Sequence, residues 1–138
     1  MPLDNVEVVR RLIEANRSDD LDRATETWIA LTDPRIEFTS VITEVTQETY
    51  RGHDGLRRYY RDLTDSWKEW RFEVEEAFEI DPDTVLVILA THLVGRGSGV
   101  AVEAQRGTVA VLSKGKVLRA HTYPSREAAL EAVGLEQT

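Results

Sequence analysis

Apolar residues recur along this chain first with a helical period and later with a period of two. Val9, Leu12 and Ile13, continued by Asn16, fall on one face at helical spacing. Asp4 followed by Glu7 predicts the start of that helix, because carboxylates satisfy the open N–H groups of a first turn. Asp20 opens a second helix in which Leu21, Ala24, Trp28 and Leu31 share a face, and the Asp33–Pro34 step closes it. "RIEFTS" at 35–40 alternates as a strand with Ile36 and Phe38 on one side, and "TEVTQETY" at 43–50 reads as a hairpin or loop. Leu56, Tyr60, Leu63 and Trp67 then describe a third amphipathic helix.

From Trp70 onward the period is two. "RFEVEEAFEI" is one strand, "DPD" a turn and "TVLVILATHLVG" a longer strand. "RGSG" turns the chain into "VAVEAQRGTVAVL", and "SKGK" turns it again into "VLRAHTYP". A short last helix has Ser125 as N-cap, Leu130 and Val133 as apolar contacts and Gly134 as its stop. The order predicts an α+β domain spanning residues 1–138, with three helices on one face of a curved antiparallel sheet.

Short hairpins at "RGSG" and "SKGK" set an expected register. They put His92 opposite Glu103, Val109 opposite Ala120 and Arg106 opposite Tyr123. Alternation then gives a helix-covered face with Leu86, Ile88, Ala90, His92, Glu103, Gln105, Gly107, Val109, Val111, Ala120 and Thr122. The opposite face carries Thr91, Arg106, Thr108, Arg119, His121 and Tyr123, and with Leu112 and Val117 it suits contact with a second copy in a homodimer.

Composition narrows the function classes. A net charge of −8 argues against binding nucleic acid, whose phosphates demand a basic surface. The absence of cysteine excludes disulfides and thiolate chemistry, and with no leader visible the cytoplasm is the expected location. The longest apolar run is too short for a membrane span and contains His92. Three separated histidines give no metal site, and no cofactor motif is present.

"YRGHDGLRRYY" before the third helix, "GRGSGV" between the long strands and "SKGKVLRAHTYPSREAALEAVGL" at the end carry a family resemblance. Together they resemble the SnoaL-like branch of the nuclear-transport-factor-two-like superfamily, which includes ketosteroid isomerases and polyketide cyclases. The resemblance implies a cone-shaped α+β fold with a hydrophobic pocket. It leaves activity open, because that fold hosts isomerases, cyclases, hydrolases, dehydratases and members without known catalysis. The isomerase's catalytic positions resemble Phe38, Leu12 and Val109 here, all apolar, so that machinery is not expected.

Within this frame, Asp54 reads as the N-cap of the third helix and His53 as a residue at the pocket rim. His92 with Glu103 is the candidate acid–base pair, since a carboxylate orients an imidazole that titrates near neutrality. A polar pair that only stabilises the hairpin is the competing reading. Trp28, Phe38, His53, Tyr60 and Gln105 are the candidate substrate-binding residues. Two functions stay open: an isomerase or cyclase acting on a small apolar or polyketide-like carbonyl compound, or a non-catalytic ligand-binding or dimerisation module.

Overall fold

The structure, a computed structural model, describes residues 4–40 and 48–134. The elements run α1 (Asn5–Ala15), α2 (Leu21–Leu31), β1 (Thr32–Ser40), β2 (Glu48–Arg51), α3 (Gly52–Ser66), β3 (Trp67–Asp81), β4 (Thr84–Gly95), β5 (Ala101–Ser113), β6 (Lys116–Tyr123) and α4 (Arg126–Ala132). Most of the hairpin or loop expected at 43–50 lies outside the described residues; its end forms β2.

The caps follow their side chains. Asp4 accepts from the Glu7 N–H, Asp20 from Arg23 and Ser125 from Ala128, so three helix starts sit where the sequence put them. The third helix differs. It begins at Gly52 with Arg51 at the cap and no side-chain cap bond, which places Asp54 inside the first turn, paired with Arg57 at 2.8 Å. Gly52 makes the earlier start possible by taking φ +70°, a conformation that side chains resist. Asp54 still favours the positive helix end from there.

The strands form one curved six-stranded sheet in the order β2-β1-β6-β5-β4-β3. It is mixed, because β1 runs parallel to β6 while every other pair is antiparallel. The β4–β5 register is the expected one, with His92 opposite Glu103. The β5–β6 register is not. Lys114 and Gly115, both at positive φ, close a tight turn that pairs Ser113 with Lys116, but a shift between Val111 and Leu112 leaves Leu118 as an extra residue. Val109 therefore faces His121 rather than Ala120, and Gly107 rather than Arg106 faces Tyr123.

That bulge and the helix packing re-sort the faces. Helices α1 to α3 cover the inner face, where Phe38, Trp70, Phe72, Val85, Val87, Leu89, Leu93, Ala110, Leu112, Val117 and Ala120 join Leu12, Trp28, Leu56 and Tyr59 in the main core. Leu86 and Ile88 point to the outer face, where α4 covers them with Ala129 and Leu130. Val85 to Leu89 are thus buried on both sides of β4.

Candidate functional site

The inner face carries a row of hydroxyls among apolar side chains. Thr91 and Leu89 lie on β4, Thr108 on β5 and Thr122 on β6, and the Thr108 and Thr122 hydroxyls hydrogen-bond each other at 2.9 Å. Thr91, Thr108 and Thr122 are all buried. Opposite them, Asn16 caps the end of α1. It accepts from Trp70 Nε1 at 3.0 Å and donates from Nδ2 to the Tyr59 hydroxyl at 3.3 Å. The Ser40 and Tyr59 hydroxyls share a further hydrogen bond. Thr108, Thr122, Asn16 and Tyr59 thereby each find a partner, which removes most of their desolvation cost.

Between the two polar groups lies a cavity of about 30 Å³, lined by Ile13, Trp28, Phe38, Phe72 and Leu89 together with Asn16, Tyr59, Thr108 and Thr122. That volume is about the share of one water in the liquid. The hydrophobic pocket that the family resemblance implies is thus narrow among the described residues. Trp28, Phe38 and Tyr59 pack mutually, with Tyr59 meeting Phe38 edge-on at 4.8 Å and Trp28 meeting Phe38 edge-on at 5.2 Å between centroids. Ala90 and Gly107 belong to the outer face, and the space above Gly107 is taken by Ala129 of α4. Burial pushes the Tyr59 and Tyr60 hydroxyl pKa values upward, so both stay protonated donors across the physiological range.

Beyond the cavity on the same face sits Arg106. It is the cross-strand partner of Leu89 and stands two residues from Thr108. Its Nε donates to Thr91 Oγ1 at 3.2 Å, and the Thr91 hydroxyl in turn donates to the Ala104 carbonyl at 3.0 Å.

The sequence-selected residues divide between the faces. Trp28 and Phe38 line the cavity, and Tyr60 packs edge-on against Trp28 with its buried hydroxyl lacking a partner among the described residues. His53 lies at the start of α3 with Nε2 3.3 Å from the Thr32 carbonyl. His92 and Glu103 do meet, at 3.0 Å from Nδ1 to the carboxylate, but on the outer face rather than under the helices. Glu73 approaches His92 Nε2 at 3.9 Å. Gln105 is on that outer face too and donates to Glu75 at 3.0 Å. His121 stacks on Tyr123, also outward, whereas Arg106, Leu112 and Val117, expected beside them, face inward.

Sequence reading placed Thr122 on the helix-covered face without giving it a role, and missed Tyr59, Thr108, Ser40 and Arg106 as parts of an inner site. A signal existed: Thr108 alternates with Ala110 and Leu112 along β5, and Thr122 with Ala120 along β6. Among the described residues no group of His, Asp or Glu is placed to hold a metal ion, and no helix is long and apolar enough to cross a membrane.

The chain matches the SnoaL-like domain family over residues 9–120, and it belongs to that family. No curated protein matches it significantly. Solved structures share its fold at low identity. An NTF2-like protein of unknown function from Burkholderia pseudomallei is 16% identical with a TM-score of 0.75, covering 94% of this chain and 97% of that one. A SnoaL-like polyketide cyclase, so named provisionally, from Jannaschia sp. is 18% identical with a TM-score of 0.73, covering 96% and 93%. A Mycobacterium tuberculosis protein in complex with estradiol-17beta-hemisuccinate is 18% identical with a TM-score of 0.64, covering 86% and 89%.

Proposed function

We propose that this member of the SnoaL-like family binds a small, mainly apolar molecule through the inner cavity, holding the molecule's carbonyl or hydroxyl end. The observation that carries the reading is the convergence of Asn16, Tyr59, Thr108 and Thr122 on a cavity otherwise lined by apolar side chains. Few precisely placed polar groups in an apolar cleft are what orient a small ligand. The fold relative crystallised with a steroid ester supports the same class of ligand. None of the residues lining the cavity is a carboxylate or a histidine, so this reading favours binding over proton transfer. A ring following the carbonyl inward displaces the aromatic lining, chiefly Phe38 and Tyr59.

Acetophenone, a neutral aryl ketone, is a suitable probe. It should quench Trp28 fluorescence saturably and raise the melting temperature, since a ligand of the folded state alone stabilises it. Thr122→Val should weaken that binding by about 2–10-fold, the worth of one neutral hydrogen bond. No saturable quenching and no thermal shift at millimolar probe would overturn the reading.

A second reading makes the protein an enzyme, with His92 as general acid–base and Glu103 as its orienter on the outer face. It is supported by their 3.0 Å contact and by a His92 Nε2 that has no hydrogen-bond partner among the described residues. With a small carbonyl substrate, His92→Gln should lower turnover by about 10²–10⁴-fold and His121→Gln should not. Unchanged turnover in His92→Gln ends it. Self-association as a homodimer, if it uses the outer face, involves His121 and Tyr123, and sedimentation at micromolar concentration decides it.

A further inference from the structure

We infer that the ligand of the inner cavity carries a carboxylate and that Arg106 is the residue that holds it, an inference that rests on the cavity being the binding site. Arg106 stands one inward-facing position beyond the polar end of the cavity, since Thr108 lies two residues along β5 and Leu89 is its cross-strand partner. Two residues of strand span about 7 Å. A planar molecule with its carbonyl at Thr108 and Thr122 and an anionic group at its other end matches that spacing.

The state of the guanidinium points the same way. Arginines elsewhere, such as Arg35, Arg71 and Arg126, sit against carboxylates. Arg106 sits against none among the described residues, although it is half-buried. Burial pulls its pKa down from the ordinary arginine value, the mark of a cation losing water without gaining a counter-ion among the described residues. A charge treated this way is a cost to the empty protein that an anionic ligand removes. The side chain is also aimed. Nε is engaged by Thr91, whose own proton is fixed on the Ala104 carbonyl, and this leaves the two terminal nitrogens to grip both oxygens of a carboxylate. Its partial exposure keeps a charged group there near water while the apolar body of the ligand goes inward.

The test compares 4-acetylbenzoate with its neutral isostere 4-acetylbenzamide on the full chain, by titration calorimetry at low salt. The carboxylate should bind about 10–100-fold more tightly than the amide, the range of a charge-assisted hydrogen-bonded pair. Arg106→Gln, which keeps an N–H for Thr91, should bring the carboxylate to the level of the amide while amide affinity stays within about threefold. Circular dichroism and melting temperature establish that the variant is folded. Should it not fold, the ratio on the unmutated chain decides alone. Equal affinities, or a preference that survives Arg106→Gln, overturn the role of Arg106 and leave the cavity standing. Binding of neither probe removes the cavity reading itself, and this inference with it.

Discussion

Replacing Asn16 by leucine removes the amide that joins α1 to both Trp70 and Tyr59 while keeping a side chain of similar size. Asn16 is 2% exposed, so no water takes its place without a rearrangement. Trp70 Nε1 loses its acceptor at 3.0 Å, and a buried donor left without a partner costs about 1–3 kcal/mol. The longer contact to Tyr59, at 3.3 Å, adds about 0.5–1 kcal/mol, limited because Tyr59 keeps Ser40. Added apolar burial by leucine offsets about 1 kcal/mol. The net expectation is a loss of about 0.5–3 kcal/mol. Urea unfolding followed by tryptophan fluorescence should show a lower midpoint with an unchanged slope. The decisive control is Trp70→Phe, which deletes the orphaned donor. In the double variant the two losses should fall short of their sum by about 1 kcal/mol or more. A loss below about 0.5 kcal/mol, or strict additivity, would show that the Asn16 bridge does not hold this end of the cavity together.

Gly107→Ala should destabilise by about 1–3 kcal/mol, because its new Cβ would stand 2.3 Å from the Cβ of Ala129, and Ala129→Gly should recover most of that loss. An additive double variant would mean that α4 does not pack where it is described. His121 gives a pH signature. Burial holds its pKa below the ordinary 6.5, so the folded chain disfavours the proton that the unfolded chain takes up first as pH falls. Its contribution is therefore complete above pH 6.5 and is lost as pH falls through the lower folded value; His121→Gln should flatten that part of a stability–pH curve, and identical slopes refute it. Ser125→Ala removes the hydrogen bond to the Ala128 N–H and should cost about 1 kcal/mol in thermal unfolding, with α4 amides losing hydrogen-exchange protection first.

The helix starts at Asp4, Asp20 and Ser125, the strand alternation after Trp70 and the pairing of His92 with Glu103 were all legible in the sequence. Each is a local matter: a cap is decided within three residues, and a short hairpin turn fixes the register of the strands beside it. The family likewise showed in short motifs, and the match over residues 9–120 agrees with it.

What only the tertiary structure decided was which face of the sheet lies under the large helices. Val85 to Leu89 are apolar at every position, so alternation along β4 marks two buried faces without saying which one belongs to α1–α3 and which to α4. The extra residue at Leu118 then inverted β6 relative to β5, since side chains on a strand alternate with a period of two and one added residue inverts everything beyond it. Ala120 and His121 therefore kept their expected sides while the residues of β4 and β5 changed theirs. The choice of face moved His92 and Glu103 outward and brought Arg106 and Thr108 inward, and the extra residue left Thr122 inward beside them. Composition and spacing could name the residues, but the side on which each one works depended on contacts between elements far apart in the chain.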